Sequence, residues 1–219
     1  MLIPKPISHR PDPENHRTSR LFFKGQQAAD FYMVGSIAWP EDKKPGFVLL
    51  SGQHLGHVEK KIWLFDEQEF WSIDNWLKPD GNLKDRKEGG YWYGISHFIS
   101  DCWSKYGCRT FFYGGQHPDI NQRYMIEFYK SKMVPRSIQL VEIPYVTEMG
   151  NDIVSEYVRH AKFEASKDTR LFQLMQTPEN DENNGKHALK VLFSGFEWVP
   201  WVDMSFKVQP KVEFVRDYI

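Results

Sequence analysis

Apolar residues follow a strand-like pattern in the first third of the chain. Residues 31–39 are mostly β-branched or aromatic and end at a proline, which predicts a strand. Residues 47–50 are apolar at every position, which is typical of a central strand buried on both faces. Residues 62–65 form a third run, and the polar residues 66–68 predict a tight turn after it. This part of the sequence therefore predicts an antiparallel meander.

The pattern changes to a helical period after residue 90. Between 91 and 106 the apolar residues recur every three or four positions, and Gly107 follows as a stop signal. Strands are then predicted at 110–113 and 138–143, with a helix at 118–133 between them. Further helices are predicted from Asn151 through Ala165, at 169–176 and around 188–196, followed by a tail with a strand-like segment at 212–215. Strands that alternate with helices favour parallel pairing, so the sheet is expected to be mixed.

Composition indicates one globular domain with extensions. The 219 residues are 41% hydrophobic and 16% aromatic. No apolar run is close to the length of a membrane helix, which needs about 18 residues. We expect a cytoplasmic protein without membrane contact, since the N-terminus does not resemble a signal peptide. The predicted organisation is an extended arm at 1–24, an α/β domain at 25–197 and a tail at 198–219 that packs on the domain or on a partner.

The net charge of −1 leaves no chain-wide attraction for nucleic acid, so such binding requires a local basic patch. The N-terminal segment is the best candidate, because its basic residues outnumber Asp12 and Glu14. Four prolines favour an extended conformation for this arm. The predicted nucleic-acid contacts are Lys5, Arg10, Arg17, Arg20 and Lys24. A solvated tail without function is the alternative interpretation.

The order of elements, three antiparallel strands followed by helix, strand, helix, strand, helix, resembles the ribonuclease H-like fold. Within that superfamily, the segment from Phe31 to Phe196 is most similar to the nuclease domains of phage DNA-packaging terminases. The resemblance implies an α/β fold in which a mixed sheet carries helices on both faces. It also implies DNA, or a protein of a packaging or mobile-element complex, as partner.

The same resemblance implies two Mg²⁺ or Mn²⁺ ions held by carboxylates on the first strand, the fourth strand and a late helix. If the first strand is 31–39, the expected position falls at Gly35 and Ser36; if it is 46–52, it falls at 51–53, and neither register supplies an acid. Asp119 lies just beyond the fourth strand and Asp152 begins a late helix, so these are the candidate catalytic residues. An isolated Asp152 also suits a helix N-terminus.

The tripeptide Gly-Gln-His occurs at 52–54 and again at 115–117, each time directly after an apolar strand. In the second register these strands would be parallel neighbours, and both tripeptides would meet at the edge where open α/β sheets bind ligands. The predicted ligand-binding residues are Gln53, His54, Gln116 and His117, and a transition metal would be held by His54, His57 and His117. The alternative is two ordinary polar loops.

Three functional hypotheses follow from the sequence. The preferred one is a ribonuclease H-like module without metal carboxylates that binds nucleic acid or protein, as in DNA packaging. The second is an active divalent-metal nuclease whose acids come from Asp66, Asp101, Asp119 and Asp152. The third is a small-molecule or metal enzyme that uses the Gly-Gln-His loops. The sequence contains no P-loop, dinucleotide fingerprint, paired CxxC motif or GxSxG elbow.

Overall fold

The computed structural model describes residues 5–12, 17–25, 28–40, 44–56, 61–70, 91–114, 138–143, 154–176 and 183–198. Within the helices, the side chains of 91–94, 96–97 and 197–198 are not described. The predicted helix at 118–133 and the predicted strand at 212–215 lie outside these ranges, as does the tail from 199 onward. Statements about structure below refer to the described residues.

Eight strands of the described ranges form one mixed sheet, and four helical segments accompany it. The strands are β1 (Ser8–Pro11), β2 (Thr18–Phe22), β3 (Ala29–Ala38), β4 (Gly46–His54), β5 (Ile62–Phe70), β6 (Thr110–Gly114), β7 (Gln139–Ile143) and β8 (Phe163–Glu164). The helices are α1 (Tyr91–Tyr106), α2 (154–159), α3 (Arg170–Met175) and α4 (Asn184–Trp198).

The strand pairing has the topology that the sequence predicts. β3, β4 and β5 form an antiparallel meander, β6 lies parallel to β3, and β7 lies parallel to β6. The fold is therefore α/β with a mixed sheet and the strand arrangement of the ribonuclease H-like class, with helices on both faces. Because β3 is the strand that pairs with β6, it is the first strand of that arrangement, which selects the first of the two registers.

Two stretches of the segment expected to form an extended arm, Ser8–Pro11 and Thr18–Phe22, are strands of the sheet. β2 pairs antiparallel with β3 from Thr18↔Tyr32 to Leu21↔Ala29, and β1 pairs with β2. Further along β3, residues 35–37 pair with β6 instead. The conformation is extended, as predicted, but an extended chain with buried side chains such as Leu21 is stabilised by pairing with an open sheet edge. Residues 8–11 and 18–22 therefore belong to the same sheet as β3.

Two hydrophobic clusters lie on opposite faces of the sheet. The α1 face carries Met33, Ile37 and Phe111 beneath the buried stripe of α1, in which Ile99 and Cys102 are at most 1% exposed. The α4 face carries Val34, Ala38 and Phe112 beneath α4, with α2 and α3 beside it. Alternate residues of β3 thus enter different clusters, as the two-residue period of a strand requires. The stripe predicted for α4 is confirmed, and the stripe predicted for α1 is confirmed except at Trp103, which is 38% exposed.

Two local predictions are wrong. β5 continues through 66–68 without the predicted turn, because residues 66–70 remain paired with β4 beyond a bulge next to Leu50 and Ser51. The helix predicted to reach Ala165 ends earlier, because Ala161 has a φ of 51°. The backbone N–H of Ala161 donates to Val158 and that of Lys162 donates to Tyr157, the bonding of a Schellman cap. The chain beyond this cap enters β8.

Candidate functional site

The resemblance places the first metal-binding acid at the centre of β3. Packed side chains cover this part of the strand on both faces. Gly35 lies opposite Phe111, and an ideal Cβ built on Gly35 would overlap the Phe111 ring. Its neighbour Ser36 is 0% exposed on the α4 face and lies opposite Phe112, against which Gly195 of α4 packs closely. Aromatic rings and a helix therefore close both faces. These residues offer neither the anionic oxygens nor the space that a pair of hard cations requires.

The carboxyl edge of the parallel strands carries one acid that the sequence analysis missed. Glu142, the second-last residue of β7, is exposed, and its carboxylate accepts a 3.3 Å hydrogen bond from the hydroxyl of Tyr113. The Tyr113 ring lies 6.1 Å from that of Trp39. The signal was available, since Glu142 occupies the end of a strand predicted to be parallel to its neighbour. Glu142 is the carboxylate that the described residues supply at this edge, and one carboxylate does not hold two metal ions.

The other candidate acids do not join Glu142 within the described ranges. Asp66 lies opposite Leu50, which itself lies opposite Gly35, so two strand spacings of about 10 Å in total separate Asp66 from β3. Asp101 is exposed on α1 and forms a 2.7 Å ion pair with Lys105. In the part of the chain that is described, no three His, Cys, Asp or Glu side chains are grouped as metal ligands. Asp119 and Asp152 lie outside the described residues.

Asp66 instead lies near α1, close enough for its charge to act on Tyr106 and Cys102. Burial is the main cause that raises the pKa of Tyr106 above its ordinary value of 10.0, and the negative charge of Asp66 adds to it. Burial likewise raises the pKa of the Cys102 thiol well above its ordinary value. Cys102 and Cys108 are both buried and unbonded to each other, as expected of structural thiols.

The described strands do not have the arrangement on which the predicted meeting of the two Gly-Gln-His tripeptides depends. That prediction assumed that β4 and β6 run parallel, whereas β3 is antiparallel to β4 and parallel to β6. The first tripeptide ends at His54, opposite Phe31 near the start of β3, and the second follows β6, which ends beyond Ile37. Phe31 and Ile37 are six residues apart on β3, so about 20 Å separates the end of β4 from the end of β6. His57, Gln116 and His117 themselves lie outside the described residues.

His54 packs among aromatic rings. Its imidazole lies 5.0 Å from the Phe31 ring in an edge-to-face arrangement and 5.8 Å from the Trp63 ring. The preceding Gln53 is buried and lies opposite Tyr32 on the other face of the sheet. These surroundings give both residues a place in the packing of the sheet, since edge-to-face contacts of this kind are stabilising.

Arg17, one of the predicted nucleic-acid contacts, is buried and therefore unsuited to that role. Its side chain is directed inward, and its Nη1 donates a 3.0 Å hydrogen bond to the hydroxyl of Tyr32. Burial raises the pKa of Tyr32, so its phenol stays neutral and remains a partner for the guanidinium. A charged side chain held this way stabilises the packing of β2 on β3 and does not reach a phosphate in solvent.

The remaining basic residues, Lys5, Arg10, Arg20 and Lys24, are exposed. Arg10 of β1 and Arg20 of β2 lie directly opposite each other. Arg20 in turn lies opposite Asp30, and two 2.7 Å hydrogen bonds join its guanidinium to both carboxylate oxygens. These bonds hold the pKa of Asp30 below its ordinary value. Arg10 forms no ion pair with any described residue.

We call the surface formed by Ser8, Arg10, Arg20, Phe22 and Asp30 the hairpin face. All five positions share one side of the sheet, because directly opposed residues of an antiparallel pair point the same way. The other side of the hairpin is closed, since Leu21 and Ser19 are fully buried. α1 packs against β1 there, whereas no described helix covers the hairpin face. The arrangement is an open, basic patch of sheet.

Comparisons with known proteins do not identify a family for this chain. No protein-family model matches the sequence. No curated protein matches it either. Among solved structures, the chain is similar to the fowlpox virus Holliday junction resolvase, with 8% identity and a TM-score of 0.45, over 75% of this chain and 97% of that one. Similarity at this level carries no inference about activity. None of the described helices is long and apolar enough to span a membrane.

Proposed function

We propose that this domain is a ribonuclease H-like module that binds nucleic acid through the hairpin face and does not cut it. The observation that carries the proposal is the direct opposition of Arg10 and Arg20 on a face that no described helix covers. Like charges directly opposite each other destabilise a pair of strands. A polyanion bound over the two arginines attracts both of them, so the pair of like charges then stabilises the complex.

The chemistry of the face suits phosphate. A guanidinium presents a planar set of donors that matches the oxygens of a phosphate group. Arg10 is available for such a contact. Two further exposed basic residues lie nearby in the sequence: Lys5 precedes β1, and Lys24 follows β2. Contacts of this kind position a nucleic acid without reading its sequence. The expected binding is therefore salt-dependent and weakly sequence-specific.

The closed centre of β3 supports binding without cleavage. Two-metal hydrolysis needs several carboxylates around one point that the scissile phosphate can reach. The positions expected to supply them on β3 are Gly35 and the fully buried Ser36. A nucleic acid strand has no access to either residue.

A finer proposal concerns the biological setting. The element order resembles nuclease domains of phage DNA-packaging terminases, so a packaging or mobile-element complex of phage type is the setting we propose. In such a complex the module would hold DNA while a protein partner does the chemical work.

The test is a combined binding and cleavage assay. Fluorescently labelled DNA, single-stranded and duplex, is incubated with the protein in Mg²⁺, in Mn²⁺ and in EDTA, and both complex formation and product length are measured. The proposal predicts binding of similar strength in EDTA and in either metal, and intact DNA throughout. Metal-dependent shortening of the DNA would overturn the claim of binding without cleavage, and absence of any complex would overturn the claim of binding.

A metal-dependent nuclease is the second candidate, favoured by Glu142 at the carboxyl edge of β7. Asp119 and Asp152 would have to supply the further carboxylates for Mg²⁺ or Mn²⁺. In that case DNA cleavage requires the metal and is abolished both by Asp152→Asn and by Glu142→Gln. Loss of cleavage in both variants, with binding retained, would establish this candidate in place of the first.

A further inference from the structure

We infer that the hairpin face takes single-stranded nucleic acid, with an unpaired base stacked on Phe22 and the adjoining phosphates held by Arg10 and Arg20. This inference rests on the proposed function and narrows its ligand from nucleic acid in general to unpaired strands. The observation behind it is an exposed aromatic ring next to the arginine pair.

The geometry places the ring and the charges in neighbouring rows of the sheet. Phe22 and Arg20 are two residues apart on β2, so their side chains emerge on the same face about 7 Å apart. Ser8 lies opposite Phe22, just as Arg10 lies opposite Arg20. The small Ser8 side chain leaves room for a planar group beside the ring. The face therefore combines a stacking surface with two guanidinium groups at the spacing of neighbouring strand positions.

Exposure separates Phe22 from the other aromatic residues of this region. Phe22 is 36% exposed, whereas Phe23 and Phe31 are 6% and 0% exposed and belong to the core beneath α1. Its neighbour Leu21 already anchors β2 in that core. Phe22 is therefore the ring of this group that a ligand in solvent can reach.

The charge balance of the face argues against duplex binding. Asp30 neutralises Arg20, so the three charged groups together carry a net charge of one positive unit. Duplex binding depends almost entirely on the number of phosphates that are neutralised. Single strands gain a second contribution, because their bases are available to stack on aromatic side chains. A face with little net charge and an open ring therefore suits an unpaired strand better than a duplex.

The Arg20–Asp30 pair contributes a defined orientation as well. Its two parallel hydrogen bonds fix the guanidinium plane, and the remaining N–H donors stay available to a phosphate. A guanidinium held in place loses less conformational freedom on binding than a free side chain. The ion pair thus lowers the net charge of the hairpin face, but it also holds Arg20 in a fixed orientation for contact with a phosphate.

The inference is tested by anisotropy titrations with a labelled oligothymidine and with a duplex of the same length. The variants are Phe22→Ala, Phe22→Tyr, which keeps a stacking ring, and Trp103→Ala as a matched control, since Trp103 is 38% exposed on α1. We expect the unaltered protein to prefer the single strand. Phe22→Ala should weaken that binding about tenfold, while Phe22→Tyr and Trp103→Ala retain it.

The outcomes separate this inference from the proposed function. If Phe22→Ala binds the single strand as tightly as the unaltered protein, while Arg10→Glu weakens it, the stacking inference is overturned and the basic face remains. Equal or stronger affinity of the unaltered protein for the duplex also overturns the inference. If the unaltered protein binds neither ligand, the proposed function itself fails. Near-ultraviolet circular dichroism confirms that each variant is folded.

Discussion

Gly35 and Phe111 lie opposite each other on the parallel strands β3 and β6, and the ring of Phe111 fills the space that a side chain on residue 35 would occupy. The absence of a Cβ at this position lets a large ring lie directly over the first strand of the fold. On the other face, Ser36 is buried with Phe112 and α4 above it. The same packing that stabilises the sheet therefore excludes a metal centre from its middle.

Gly35→Ala is expected to destabilise the protein because the new methyl group overlaps the Phe111 ring. Overpacking of this kind costs about 1–3 kcal/mol of unfolding free energy, measured by urea denaturation. Gly56→Ala is the control, since Gly56 is exposed and its new methyl group would make one close contact, 3.3 Å from the His54 ring, in place of the overlap at Gly35. In the double variant Gly35→Ala/Phe111→Leu, part of the loss should return. A Gly35→Ala protein as stable as the unaltered one would show that the ring moves aside at no cost.

Asp30→Asn is expected to strengthen nucleic acid binding. The change releases Arg20 from its bidentate partner and raises the charge of the hairpin face by one unit. We predict about threefold tighter binding of an oligonucleotide in low salt, and a salt dependence that is steeper by about 0.7 for a single strand. Asp101→Asn removes the same charge from an equally short ion pair on α1 and is the matched control. Identical effects of the two substitutions would assign the gain to net charge rather than to the hairpin face.

Glu67→Gln is expected to change how stability depends on pH. The Glu67 carboxylate accepts the backbone N–H groups of Arg170 and Leu171 at the start of α3, and burial raises its pKa above the ordinary 4.5. An acid with a raised pKa binds protons more tightly in the folded state, so stability falls as the pH rises from 4.5 through the raised value. Without this titration, the Glu67→Gln variant should gain stability relative to the unaltered protein over that range. A difference in unfolding free energy that stays constant with pH would contradict this.

Ala161→Gly is expected to stabilise the protein. Ala161 caps α2 with a φ of 51°, a conformation that costs an L-residue with a Cβ about 1 kcal/mol and costs glycine little. We predict a gain of about 0.5–1 kcal/mol in unfolding free energy. Ala29→Gly, in the strand β3, should instead lose a similar amount. A loss of stability in Ala161→Gly would mean that greater freedom of the unfolded chain outweighs relief of strain at the cap.

The sequence was sufficient to predict elements that carry a regular period. The stripe from Ile95 to Tyr106 identified α1, and the continuous apolar run 47–50 identified the central strand β4. Alternation of strands and helices then predicted that β6 lies parallel to the first strand. These predictions depend on local pattern and on general rules of chain connection, so they needed no knowledge of distant contacts.

The candidate site depends on contacts between distant residues, which local pattern does not reveal. The expectation that the two Gly-Gln-His segments share one edge depends on the direction of β4, which its antiparallel pairing with β3 sets and local pattern does not reveal. In the sequence Arg17 does not differ from its basic neighbours, because its partner Tyr32 is 15 residues away along the chain. The importance of Phe22 depends on which side of β2 faces the core, and a five-residue strand is too short to show that by its own alternation.

The most direct test of binding through the hairpin face compares Arg10→Ala with Arg159→Ala, which removes an exposed arginine on α2. The affinity for a labelled single-stranded oligonucleotide is measured in EDTA over a series of salt concentrations. We predict that Arg10→Ala weakens binding and lowers the slope of log affinity against log salt by about 0.7, while Arg159→Ala leaves both unchanged. Equal slopes for Arg10→Ala and the unaltered protein would contradict binding at this face.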